Sequence, residues 1–216
     1  MLGFWENTIY KLRNFENMAF FSAKNAGLAF MIVAVLSIIS AIALIVMSIM
    51  DVDVESIKAH ELTYFIILAI GEVICACLYF TYGQKVRSGA IDRKIDILAN
   101  YVKIVGITTI IGGLFSAVAV IVEGGDLGSA LVGAIIAIVL GLIILFIASK
   151  INDGKQTTGD KLIWIILLVV FVICLLWAIL EIIAIITIIS GICDLIIFSF
   201  MILLLIDEEV KKEMGI

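Results

Sequence analysis

The sequence predicts an all-α, polytopic membrane protein with six transmembrane helices. Three observations predict it. Of the 216 residues, 64% are hydrophobic and 15% are charged, whereas a soluble domain is nearer half apolar and about a quarter charged. The apolar residues come in runs of about twenty, the length a helix needs to cross a hydrocarbon core about 30 Å thick. With six spans, the amino end, the second and fourth loops and the carboxyl end share one side. Of the 14 basic residues only Lys58 falls on the other side, together with Asp51, Asp53, Glu55, Glu61, Glu123, Asp126 and Glu181. Basic residues favour the cytosolic side. The expectation is a multi-pass cell-membrane protein with both termini in the cytoplasm.

Residues 1–27 form an amphipathic segment. Trp5, Ile9, Leu12, Phe15 and Ala19 recur at helical spacing, and Glu6, Lys11, Arg13 and Asn14 lie largely off that stripe. Such a helix suits the membrane interface. The segment lacks the basic start, short apolar run and small-residue cleavage site of a signal peptide, so no cleavage is expected. The transmembrane domain, 28–206, opens with spans at about 28–50 and 62–82. They flank an acidic loop carrying the lone histidine, His60, which has no second histidine to complete a metal site.

The connection 83–103 is polar, but Ile91, Ile95, Leu98 and Val102 fall on one helical face. This predicts a short interfacial helix leading into a third span at 104–122. The glycine-containing turn Glu123–Asp126 joins it to a fourth span, 127–148, and residues 152–160 form a turn-rich loop. The apolar stretch 162–206 has 45 residues. As one helix it would be about 67 Å long, twice the hydrocarbon thickness, so it must fold back. Glu181 is the only charge in its first half. The turn is therefore placed there, giving spans 162–181 and 184–206, with Ser190–Gly191 as the competing break. Residues 207–216 are a cytosolic tail. The spans group as three helical hairpins.

Two residues suggest chemistry. Glu72 and Asp194 lie near the middle of the second and sixth spans, and no lysine or arginine lies in any span interior. A carboxylate at mid-bilayer costs about 3 kcal/mol to insert and faces the bundle interior. Cys75 and Tyr79 share the helical face of Glu72; Thr187 and Ser190 share that of Asp194. The predicted ion or substrate site is Glu72, Asp194, Ser190, Thr187 and Cys75, taking a proton, a small cation or a proton-coupled solute. The alternative is a helper or assembly subunit, binding partner helices or lipids, in which the acids only pin helix packing; interhelical hydrogen bonds average about 0.6 kcal/mol.

Other chemistries find less support. All four cysteines lie inside apolar segments, which predicts free thiols. Cys75 and Cys77 are two apart on a helix and point in nearly opposite directions, so they cannot share a metal ion. No metal or cofactor is implied. Basic residues interleaved with aromatics are missing, which argues against nucleic-acid binding. With one histidine in a loop there is no Ser–His or Cys–His nucleophile. Gly191-Ile-Cys-Asp194 departs at its third position from the G-x-G-D pattern of intramembrane aspartyl proteases, and the chain has no proline to supply that family's second signature. No enzyme is expected.

The fourth span carries Ser129, Gly133, Ala137 and Gly141, each four residues apart. A stripe of small residues lets two helix backbones approach closely. Gly112 and Ser116, or Gly113 and Ala117, are the answering residues on the third span. The stripe is assigned to packing within the chain, with an oligomer contact as the alternative.

Overall fold

In the computed structural model described here, residues 23–50, 59–153, 158–183 and 188–216 are described. The amphipathic segment up to residue 22, most of the acidic loop (51–58), residues 154–157 and Thr187 lie outside them. The described residues form seven helices and no strand: α1 (Ala23–Met50), α2 (Ala59–Arg87), α3 (Lys94–Glu123), α4 (Leu127–Ile151), α5 (Thr158–Ile183), α6 (Ile188–Ile206) and the short α7 (Glu208–Glu213). Helices α1 to α6 are each long and apolar enough to cross a membrane. That is the make-up of a multi-pass membrane protein.

The helix ends follow local chemistry. Helix α3 stops at Gly124, whose φ of 92° lies in the left-handed region that glycine adopts without steric cost. The Gly124 and Gly125 amides donate to the Ile121 and Val120 carbonyls at 3.1 and 2.8 Å. Asp126 then caps α4, its carboxylate accepting from the Ser129 amide at 2.7 Å. Helix α5 ends at Ile183 and α6 begins at Ile188, so Ser190–Gly191 lies inside α6 rather than at a break.

The polar connection before the third span differs from the expectation. There is no separate interfacial helix at 83–103. Helix α2 runs on to Arg87, a short turn follows, and α3 is continuous from Lys94. Ile95, Leu98 and Val102 are buried all the same. Their stripe is real, but it packs inside the protein. Nothing between Lys94 and Glu123 breaks a helix, since proline is absent and the glycines there are tolerated within a helix held by its neighbours.

Helix α1 packs most extensively on α2, α3 on α4, and α5 on α6; α1 also packs on α6, and α2 on α3. Lipid tails are as apolar as leucine, so close packing rather than hydrophobicity must hold such helices together. Each of the three main pairs has a glycine in close contact with the partner helix's backbone. A Cβ on Gly27 would lie 2.7 Å from the Gly83 carbonyl oxygen, and one on Gly83 would lie 2.7 Å from that of Gly27. In the antiparallel register this fixes, Ala34 falls opposite Ala76, and Ala41 opposite Ala69. Each step is seven residues, which keeps a helix face within about 20°. Gly106 and Gly141 meet in the same reciprocal way, and Gly191 abuts the backbone of Ala178 and Ile182.

The core is unevenly distributed. The largest fully buried side chains, among them Phe30, Ile97, Leu98, Tyr101, Met201, Leu204 and Met214, all lie toward the end that carries the basic residues. There the Tyr82 hydroxyl donates to the Ile97 carbonyl at 2.6 Å and the Trp164 indole to the Leu205 carbonyl at 2.7 Å. Helix α7 folds under this core with Val210 buried. On the other side of Glu72 and Asp194, the buried residues among those described are alanine, glycine and cysteine.

Candidate functional site

Glu72 projects from the middle of α2 and is exposed, not turned into the bundle as expected; Asp194, two turns into α6, is half-buried. Their helices are not neighbours. Helix α1 packs on both and is the partner they share. The carboxyl groups nevertheless lie within electrostatic reach of one another, and Asp194 is also within reach of Glu181. The Ser37 hydroxyl of α1 is within hydrogen-bonding reach of Glu72. Also from α1, the Val33 carbonyl lies 4.0 Å from the Cys193 sulfur, beside Asp194. Helix α1 thus touches both acids' surroundings through residues one turn apart.

Among the predicted site residues, Cys75 is half-buried one turn beyond Glu72 toward the basic end, and feels the Glu72 charge. Ser190 is exposed near the start of α6. It lies one turn from Asp194, and Thr187 is outside the described residues. Helix α3 contributes as well. The Tyr79 hydroxyl is within hydrogen-bonding reach of Thr108, and Tyr79 lies within electrostatic reach of Asp194, Cys75 and Glu72. Thr108 was legible only as one of several span hydroxyls, because its facing depends on how α2 and α3 cross. Among the described residues, no three histidine, cysteine or acidic side chains converge as a metal site requires.

Below the acids, toward the basic end, aromatic rings close the bundle. Tyr101 of α3 lies at the centre, with ring centroids 5.7 Å from Phe30 of α1, 6.5 Å from Tyr79 of α2 and 6.1 Å from Phe171 of α5. Phe30 also packs on Tyr82 at 4.8 Å, and Phe171 on Phe198 of α6 at 6.2 Å. Tyr101 is 1% exposed. Beneath this layer, ion pairs join the start of α3 to the carboxyl end. Arg93 meets Glu213 at 2.6 Å; Lys94 meets Asp207 at 2.7 Å and Glu209 at 3.4 Å. The Glu213 carboxylate, hydrogen-bonded to the guanidinium, holds the Arg93 pKa above its ordinary value. Asn152 also bonds Asp96, tying the end of α4 to the same region.

The small-residue contact between α3 and α4 uses Ala137 and Gly141 of the predicted stripe and the second predicted pair, Gly113 and Ala117, but not Ser129, Gly133, Gly112 or Ser116. Ala137 meets Gly113 and Gly141 meets Gly106, while Ala130 and Ala134 are buried near Ala117. Nothing lies within 4 Å of a Cβ placed on Gly133 or Gly112, and Ser116 and Ser129 are exposed. Residues four apart advance about 40° beyond a full turn, so the steps from Ser129 to Gly141 wrap about 120° around the helix. One end of that stripe therefore turns off the contact. Gly113, Ser116, Ser129 and Gly133 instead line an open crevice of about 180 Å³.

Comparison with known proteins finds no counterpart: no family model, no curated protein and no solved structure matches the chain.

Proposed function

We propose that this protein passes a proton, a small cation or a proton-coupled solute across a cell membrane, with Glu72 and Asp194 as the intramembrane sites. The observation that carries this reading is the pair of span carboxyl groups within electrostatic reach of one another, on helices that share α1 as their packing partner. Packing alone gives no reason for two such acids, because each costs about 3 kcal/mol to insert where alanine would cost nothing. Ser37, Cys75, Tyr79 and Thr108 surround them with groups able to bind a cation or hand on a proton. Ser190, exposed one turn before Asp194, extends the polar surface toward the other end.

The six spans are read as three two-helix units, supported by the dominant packing of each span on its sequence neighbour. Both termini are assigned to the cytoplasm, on the clustering of basic residues at one end. The bilayer is the protein's surroundings, and self-association is compatible with the exposed crevice on α3 and α4.

The test is flux in proteoliposomes, using a pH-sensitive dye inside and an imposed gradient. Glu72→Gln and Asp194→Asn should each abolish flux without changing elution of the purified protein. Wild-type flux no faster than empty vesicles would sink the reading. A second reading, a non-catalytic membrane subunit, is favoured by the aromatic layer, which packs the bundle between the acids and the basic end.

A further inference from the structure

We infer that Tyr101 is a gate: its ring separates the Glu72–Asp194 site from the basic end, and the α7 ion pairs hold it shut. The inference deepens the transport reading and rests on it for its purpose. Its geometry stands independently.

The position of Tyr101 sets it apart from an ordinary core aromatic. Rings from α1, α2 and α5 converge on it, so one side chain closes the space between four helices. Below it the core is solid, with Ile97, Leu98, Met201 and Leu204 fully buried and the Tyr82 and Trp164 polar atoms bonded to backbone carbonyls. Above it lie Tyr79, Cys75 and the two acids, where the buried residues are small and polar groups reach the surface.

The layer is also a joint. Helix α6 has only modest direct packing on α3. At the basic end the two are linked through Asp207, Glu209 and Glu213, which follow α6, and through Arg93 and Lys94, which stand two turns before Tyr101 on its own helix or adjoin it. These pairs are partly exposed, so they are weak and break readily. Parting them frees α6 from α3 and draws Phe171 and Phe198 away from Tyr101. That opens the site toward the basic end. A tight aromatic layer secured by a weak ionic latch is suited to opening and reclosing.

The experiment uses a native thiol, so it does not depend on transport. In a variant retaining only Cys75, with Cys77, Cys174 and Cys193 replaced by alanine, a membrane-impermeant charged thiol reagent is added to the basic-end side of oriented proteoliposomes. Cys75 lies between Glu72 and Tyr79, above the gate. Labelling should be slow with Tyr101 present and at least about tenfold faster in Tyr101→Ala and Phe171→Ala, since the rate follows the open population. Lys94→Glu should give an increase of the same sign. Where Tyr101→Ala fails to elute as a folded protein, Tyr101→Leu takes its place. Equal labelling rates in the wild-type ring background and in both ring variants would overturn the gate. Flux in the same vesicles keeps the two ideas apart: faster labelling without flux sustains the gate and removes transport, whereas Glu72-dependent flux with unchanged labelling does the reverse.

Discussion

Gly106 and Gly141 meet backbone to backbone: a Cβ on Gly141 would lie 2.7 Å from the Gly106 carbonyl oxygen, and one on Gly106 would lie 3.0 Å from that of Gly141. No side chain fits between them. Gly141→Leu should therefore destabilise the protein by about 1–3 kcal/mol, the usual cost of overpacking. Gly133→Leu should be nearly neutral, because its Cβ meets nothing within 4 Å. Thermal unfolding in detergent measures both. A melting temperature lowered equally by the two changes would place α4 differently against α3.

The ion pairs at the basic end predict a salt effect. Lys94 bridges two carboxylates from a position about one-third exposed. Lys94→Ala should cost about 1 kcal/mol or less at low ionic strength. The difference from wild type should shrink in about 1 M salt, where the Debye length falls to about 3 Å. A difference that survives high salt would mean that the lysine stem, rather than its charge, does the stabilising.

Asp126 predicts a pH effect of definite sign. Its carboxylate accepts from the Ser129 and Gly128 amides at the start of α4, which holds its pKa below the ordinary value of 3.8. The folded state thus binds fewer protons than the unfolded state between the two pKa values, so stability rises with pH across that window. The cap contributes fully above the ordinary carboxylate range and is lost as pH falls through the depressed value. Asp126→Asn should melt lower than wild type at neutral pH and converge with it in strong acid. Parallel curves down to the lowest pH would show that ionisation of the cap is irrelevant.

Much of this architecture was legible in the sequence. Six apolar runs give six long helices, since backbone groups in hydrocarbon must bond within their own segment. Gly124 and Asp126 announce a turn because each has a specific backbone task there. What the sequence hid is the facing of each helix. In a soluble bundle, apolar residues mark the inside. Here Ile135 at 59% exposure and Ile97 at 0% are chemically identical, so only small residues carry facing information. Gly27 and Gly83 were missed for lack of a four-residue repeat, although the seven-residue series through Ala34 and Ala76 was there to read. Glu72 and Asp194 stood out because a charge in a span needs a reason. That α1 would mediate between them depends on three-dimensional packing alone.

Topology gives a fourth prediction. Ser88 lies in the turn after α2 and Glu123 at the far end of α3, both exposed. In a cysteine-free background, an impermeant reagent applied to intact cells should label Glu123→Cys and spare Ser88→Cys. The opposite pattern would invert the protein in its membrane.

The last prediction concerns the α1–α6 contact, on which the pairing of the acids depends. The Cys193 sulfur lies 4.0 Å from the Val33 carbonyl oxygen, within the buried core and next to Asp194 in sequence. Ser37 stands one turn further along α1, within reach of Glu72. If α1 and α6 are adjacent as described, Val33→Cys should be joined to native Cys193 by a short membrane-permeant bis-thiol reagent, with the other three cysteines removed. Ile39→Cys, exposed on another part of α1, should not. Mass spectrometry of proteolysed protein identifies the linked peptides directly. The cross-link should also leave flux unchanged if α1 and α6 move together, and abolish it if transport requires α6 to slide along α1. Absence of the Val33–Cys193 link, with Ile39 linked in its place, would turn α1 on its axis. Ser37 would then leave Glu72, Asp194 would lose its route to the second acid, and the paired-carboxylate site would have to be given up.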